Sequence, residues 1–272
     1  PHEINQLGIS RVFQTPEIFA DLSVLQNVMT PAFARRDGAF KINMLRSVDN
    51  EKGIREEAEN MLEDVGLIHL RAAHALNLLF FHGNGEIVSD YDDFAPLFLD
   101  PGFNFIPVDY RGYGFSTGSP SVSSMMRDCH AVFGYIKDWL LTAQMSGPLL
   151  VMGRSLGSAP ALELAAHYPD QIAGLILDSA FAHTGPLLEN LGLDPEALGF
   201  REEDGFGNLG KIRTFPNPTL IIHGGNDEII GVDEGRALYE ASPSGKKHLV
   251  IIPEAGHNDL FMVDPNTYRE GL

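Results

Sequence analysis

An α/β fold with a mostly parallel central sheet and helices on both faces is what this sequence predicts, on three observations. Short, nearly continuous apolar runs recur at Leu76–Phe81, Phe103–Asp109, Leu149–Gly153, Ile172–Asp178, Thr219–His223 and His248–Ile252. Runs of that length and character suit strands buried on both faces. Stretches of helical character lie between them, and strand–helix alternation implies parallel crossovers. Glycine-bearing loops follow the ends of several runs, where open α/β sheets place their ligands.

Residues 1–64 read as a mostly helical segment of uncertain role. Thr15-Pro16 is a helix start, with Pro at the first helical position. Ile18, Leu22, Leu25 and Met29 then recur at helical spacing and give one apolar face, read as a packing face. Asp37-Gly38 is placed to turn a hairpin whose second arm is Ala39–Val48, and charged Glu51–Glu63 reads as a solvated helix. Residues 65–272 form the α/β domain. Within it, Pro120 to about Leu141 is predicted helical, capped by Ser119, with Val122, Met125, Met126, Cys129, Val132, Phe133, Ile136 and Leu140 on one stripe. Cys129 on that stripe reads as a packed core thiol rather than a nucleophile. Between Phe181 and Pro216 the chain leaves the sheet in an insertion carrying Leu187, Leu188, Leu191, Leu193, Leu198 and Phe200. Those residues either roof an apolar pocket or bury the insertion's own helices.

The chain has 272 residues, 44% hydrophobic and 21% charged, an ordinary balance for a soluble domain with a substantial core. A formal charge of −18 argues against nucleic acid and against anionic membrane surfaces as partners, since both need clustered Lys and Arg. Cys129 is the single cysteine, so no intramolecular disulfide forms, and a cytoplasmic location is expected. No apolar run approaches the ~18 residues of a membrane span, and no signal-peptide pattern is visible.

Four loops carry chemistry. Gly153-Arg154-Ser155-Leu156-Gly157 follows the third run and fits G-x-S-x-G, a tight strand-to-helix turn that lifts a serine hydroxyl above the sheet edge. His82-Gly83-Asn84-Gly85 follows the first run, where glycines let backbone N–H groups face a cavity and receive an oxyanion. The same loop, with Asp109 closing the next strand, also resembles a dinucleotide fingerprint, but the third glycine position holds Val88. Asp227 lies in His223-Gly224-Gly225-Asn226-Asp227-Glu228, although Asp and Asn in such loops usually cap turns. His257 lies in Gly256-His257-Asn258-Asp259. The order Ser155, Asp227, His257, with gaps of 72 and 30 residues and each on its own strand end, is that of a nucleophile, an acid and a base. Asp178, ending the fourth run, is the alternative acid.

These motifs, with Asp109-Tyr110-Arg111-Gly112-Tyr113-Gly114-Phe115-Ser116, resemble those of the α/β-hydrolase superfamily, most closely the ABHD-type serine hydrolases and their bacterial relatives. The resemblance covers about residues 76–263. It implies an α/β-hydrolase fold with a small lid insertion, about 182–216, after the sixth strand of such a fold. Residues 1–64 depart from it, since the family opens with antiparallel strands. The resemblance also implies an acyl-enzyme on Ser155, with His257 as base and Asp227 orienting it, and with the backbone N–H groups of Leu156 and Asn84 as oxyanion hole. Arg111 and Tyr113 would shape a turn beside the site. No cofactor and no metal are implied. The expected substrate is a small-molecule carboxylic ester or thioester. A peptidase or amidase using the same triad, and a non-catalytic binding protein of this fold, stay open, as does oligomeric state.

Overall fold

The structure, a computed structural model, describes residues 75–272 apart from Asp93, Asp100, Pro101 and Leu191. The expectations for the Thr15-Pro16 helix, the Asp37-Gly38 hairpin, the Glu51–Glu63 helix and the boundary near residue 64 lie outside the described residues, as does Leu191.

Six strands, β1 (Leu76–Phe81), β2 (Phe103–Val108), β3 (Leu149–Arg154), β4 (Gly174–Asp178), β5 (Thr219–Gly224) and β6 (Lys247–Ile252), form one sheet. Their order is β2-β1-β3-β4-β5-β6, and every neighbouring pair is parallel. All six apolar runs are therefore strands, shifted by a residue or two at their ends. Ile172, placed in a strand by the sequence, is buried in the turn that precedes β4.

Apolar residues on both sides of the pleat explain the continuous runs. Leu78, Phe80, Met152 and Ile176 meet Ala95 and Phe98 of α1 (Ala95–Leu99) on one face. Leu79, Phe81, Val151 and Leu177, with the opposite parity, are equally buried. Helices α2 (Val122–Thr142) and α3 (Ser158–His167) pack against each other, and α3 lies along β3 and β4. A polar pair on β1 and β2 lies within this interior. Asn77 and Asn104 face each other across β1 and β2, and the Asn104 amide donates to Asn77 Oδ1 at 2.8 Å. The Asn77 amide in turn donates to the Gly147 carbonyl at 2.8 Å, so burying this residue leaves no donor orphaned there.

Helix α2 starts two residues later than the sequence suggests. Its cap is Ser121 rather than Ser119: the Ser121 hydroxyl accepts from the Ser124 N–H at 3.1 Å, and Ser124 Oγ accepts from the Ser121 N–H at 3.1 Å. That reciprocal box satisfies two end donors at once, which a serine before Pro120 cannot do. Met125, Cys129, Phe133, Ile136 and Leu140 of the expected stripe are buried, joined by Trp139, while Val122 is exposed.

The insertion leaves after β4, the fourth strand among the described residues. It contains α4 (Thr184–Asn190), a 3₁₀ turn at Glu202–Asp204 and α5 (Asn208–Ile212). Leu187, Leu188 and Phe200 are half-buried, but Leu193 and Leu198 are 46% and 62% exposed. Burial of the insertion's own helices thus does not account for the last two. The remaining helices are α6 (Val232–Ala241), α7 (Leu260–Val263) and α8 (Pro265–Gly271).

Topology fixes where a ligand sits. The chain passes from β1 to β2 on one side, then returns to lay β3 on the other, so the connections diverge between β1 and β3. A crevice outside the carboxyl ends of that pair is the favoured binding position in open α/β sheets.

Burial pushes the Cys129 thiol up to about 12, and its Sγ–H donates to the Met126 carbonyl at 3.2 Å. A disulfide thiol reagent at neutral pH is therefore expected to leave the native protein nearly unlabelled and to label one thiol after unfolding in urea. Fast stoichiometric labelling of the native protein would contradict this packing.

Candidate active site

The crevice between β1 and β3 holds the turn from β3 into α3. Ser155 follows Arg154 directly and adopts φ 50°, a conformation that L-residues avoid. Two close approaches hold it there. A Cβ on Gly153 would lie 2.2 Å from the Gly157 carbonyl oxygen, and one on Gly157 would lie 2.1 Å from that of Phe81. No side chain fits at either position, so the turn packs backbone against backbone on the end of β1. The Ser158 hydroxyl donates to the Ser155 carbonyl at 2.7 Å and closes the turn.

His257 comes from the loop after β6, where Asp259 Oδ1 accepts the Gly256 N–H at 2.7 Å. Asp227 comes from the loop after β5. Backbone bonds join the two loops, from Gly225 N to Ile252 O at 2.8 Å and from Asn226 N to Ala255 O at 2.9 Å. The three sequence candidates meet: His257 Nδ1 is 2.8 Å from Asp227 Oδ2, and His257 Nε2 is 2.9 Å from Ser155 Oγ. A carboxylate only accepts, so Nδ1 carries the proton and Nε2 of the neutral ring accepts from the serine hydroxyl.

Asp227 is held by more than one histidine. Its Oδ1 accepts the Ile229 and Ile230 N–H groups at 2.9 and 2.7 Å, and His223 Nε2 lies 3.4 Å from Oδ2. Burial alone would raise the carboxyl, but hydrogen bonds from His223, His257 and Ile230 outweigh it and hold Asp227 well below the usual carboxylate range. His223 donates from Nε2 to the Ile230 carbonyl at 2.8 Å, so it braces the acid loop. In the sequence His223 only closes the Thr219–His223 run and opens the glycine-rich loop, with no sign of this role.

Asp178, the alternative acid, makes no hydrogen bond or ion pair with His257 among the described residues. It lies beside Arg154 across β3 and β4, and its Oδ2 accepts the Tyr268 hydroxyl at 2.5 Å. Leu156 follows Ser155 in the 3₁₀ turn, and Asn84 follows Gly83 at the end of β1, so both expected donors border the crevice. The Gly83 N–H is engaged by Glu86 at 2.6 Å, whereas the Asn84 N–H makes no hydrogen bond among the described residues. Tyr113 donates its hydroxyl to Asn84 Oδ1 at 2.7 Å, and Arg111 pairs with Asp128 at 2.7 Å. The expected turn-shaping residues thus reach the Asn84 loop and α2 respectively. Asp109 accepts the Val88 N–H at 2.9 Å, which ties down the loop that failed the dinucleotide pattern.

Beneath the His257 loop lies a cavity of about 210 Å³ walled by aromatic and aliphatic side chains, among them Phe80, Phe94, Met152 and Phe261, with Arg154 and Asp178 in its wall. Sequence reading missed Glu86 and Arg154. Arg154 is a charge buried at the end of an apolar strand, and that mismatch was the available signal. Among the described residues, His130, Glu163 and His167 bring three ligand atoms within 4.8 Å of one another, but Lys211 Nζ pairs with Glu163 at 2.6 Å and competes with any cation.

Comparison with known proteins follows the same contour. A family model described as serine aminopeptidase, S33, matches residues 72–193. The α/β hydrolase domain-containing protein aho-3 of Caenorhabditis elegans is 32% identical over 67% of this chain and 52% of its own length. The human α/β hydrolase domain-containing protein 17C is 30% identical over 72% of this chain and 57% of its own length. The chain thus spans little more than half the length of these relatives. A Pyrococcus furiosus esterase superposes with TM-score 0.60 at 20% identity, covering 72% of this chain and 80% of that one. Est1E of Butyrivibrio proteoclasticus, with ferulic acid bound, gives 0.60 at 18%, covering 75% and 92%.

Two expectations follow from this geometry. Gly157→Ala is expected to destabilise the fold by about 3 kcal/mol or more, or to prevent soluble expression, as read by urea denaturation. A group whose folded pKa is depressed contributes stability above its unfolded value, and that contribution is lost as pH falls towards the folded one. The stability advantage of the wild type over Asp227→Asn is therefore expected to shrink as pH drops from about 4 to about 2. Denaturation at a series of pH values measures it, and an advantage that grows towards acid would contradict the assignment.

Proposed function

We propose, from the premise that this chain belongs to the α/β-hydrolase superfamily, that it is a serine hydrolase acting through an acyl-enzyme on Ser155. The observation that carries the reading is the unbroken hydrogen-bond path from Asp227 through His257 to a serine held at φ 50°. In this scheme His257 Nε2 takes the hydroxyl proton as Ser155 Oγ attacks a carbonyl carbon. The carbonyl π electrons move to oxygen, and the backbone N–H groups of Leu156 and Asn84 receive the oxyanion. Collapse returns the electrons and expels the leaving group, which takes the proton from His257. Water then attacks the acyl-enzyme, again with His257 as base. Asp227 fixes the tautomer and stabilises the imidazolium.

A carboxylic ester or thioester of a small acyl group is the substrate class we favour. The superposed esterase supports this, as does the apolar wall of the cavity beneath the His257 loop, which includes Phe80, Phe94, Met152 and Phe261. A second reading has its own support. The matching family model is described as a serine aminopeptidase, so an amide or peptide bond is the alternative for the same triad.

The test is direct. A fluorophosphonate probe is expected to label the wild-type protein and not Ser155→Ala, and p-nitrophenyl acetate turnover is expected to vanish with it. Labelling that persists in Ser155→Ala would overturn the assignment, and absence of labelling and turnover in the wild type would leave a binding protein of this fold. Asp227→Asn is expected to lower kcat by about 10³ to 10⁴, because the wrong tautomer then faces Ser155. Parallel assays with p-nitrophenyl esters and aminoacyl p-nitroanilides separate the two readings by which class is turned over.

A further inference from the structure

We propose that Arg154 is a positioning residue that locks the base loop and the oxyanion loop to the nucleophile turn through one guanidinium, with Glu86 as its partner. The inference rests on the serine-hydrolase reading above and adds two residues to it.

The geometry is specific. The Arg154 backbone ends β3 and leads directly into Ser155, so its main chain is part of the nucleophile turn. Its side chain is buried, which for an arginine demands that its donors be used. Nη1 and Nη2 donate to the His257 carbonyl at 3.3 and 3.2 Å, and Nη2 donates to Asn258 Oδ1 at 2.9 Å. Nε lies 3.2 Å from Glu86 Oε1. The other carboxylate oxygen of Glu86 accepts the Gly83 N–H at 2.6 Å and the Tyr91 hydroxyl at 2.5 Å. Gly83 immediately precedes Asn84, the proposed oxyanion donor. One planar group therefore connects three loops that follow β1, β3 and β6, and it grips the base residue by its backbone rather than its ring.

Reaction chemistry gives this bridge a purpose. Proton transfer from Ser155 needs His257 Nε2 within hydrogen-bond reach, and oxyanion stabilisation needs Asn84 N–H at the same moment. These groups lie on loops far apart in sequence, with Ser155 and His257 separated by 102 positions. A displacement of about 1 Å in such a constellation costs roughly a hundredfold in rate. Lysine cannot replace the bridge, because a single ammonium has no planar fork to reach a carbonyl, an amide oxygen and a carboxylate together. Asp178, across the strand pair from Arg154, and Glu86 supply the balancing negative charge. The alternative is that Arg154 is a buried ion pair of purely structural consequence.

Steady-state turnover of p-nitrophenyl acetate, with fluorophosphonate labelling rates, separates the two for wild type, Arg154→Met, Arg154→Lys, Glu86→Gln and the Arg154→Met/Glu86→Gln double variant. Each is assayed well below its own melting temperature, after circular dichroism shows native structure. The expected result is a fall in kcat of about a hundredfold in Arg154→Met, a smaller fall of about tenfold in Arg154→Lys and Glu86→Gln, and KM within about twofold throughout. The double variant is expected to be no slower than Arg154→Met, because both changes break one connection. Folded Arg154→Lys and Glu86→Gln enzymes with wild-type kcat would overturn the proposal even if Arg154→Met does not fold. So would losses confined to KM, or losses that multiply in the double variant. A wild type that neither labels nor turns over would overturn the serine-hydrolase reading and this inference with it, whereas a wild type that labels while the variants match it would sink only the bridge.

Discussion

Everything at the site depends on a backbone contact with no room for a side chain. The turn after β3 rests on the carbonyl end of β1 at Gly157, and folds on itself between Gly153 and Gly157. That contact holds Ser155 in the left-handed region and turns its hydroxyl towards the loops that follow β5 and β6. The strain is local and is sustained by the surrounding sheet, whose strands β1, β3 and β4 are buried on both faces. Interior packing of this density resists relaxation of the turn.

Charge is arranged around the same point in two layers. Asp227 faces His257 and His223 together with two backbone N–H groups, which keeps it ionised inside the protein. Behind the His257 loop, Glu86, Arg154 and Asp178 form a second polar group in the wall of the cavity. Buried charges are tolerated when each has partners, and the two clusters satisfy that condition through different loops. The result is a histidine whose ring is oriented by one cluster and whose main chain is held by the other.

Much of this was legible in the sequence because local patterns carried it. Continuous apolar runs identified all six described strands, and glycine spacing around Ser155 identified the turn. The loops after the third and sixth runs single out Ser155 and His257, which the fold brings to 2.9 Å, and leave Asp227 and Asp178 as the candidate acids. What stayed hidden depends on distance along the chain. Whether Asp178 or Asp227 faces His257 is decided by which strand lies next to β6, a fact of topology that no local pattern encodes. Arg154 sat in plain view within the G-x-S-x-G pattern, but its partners at Glu86 and Asn258 come from opposite ends of the domain. The cap of α2 is Ser121 rather than Ser119 because Ser121 and Ser124, three residues apart, cap each other, a short-range signal that competes in the sequence with Pro120.

The parallel order of the strands also has a bearing on how the protein reaches its working form. Ser155 and His257, 102 positions apart, are brought together only when β6, at one end of the strand order among the described residues, is docked. Contacts of such long sequence separation carry a large loop-closure cost, which slows folding. Without β6 docked, Ser155 has no His257 beside it. On the proposed function, covalent capture of Ser155 would report the docking of β6, which makes chemical competence a sensor of completed assembly.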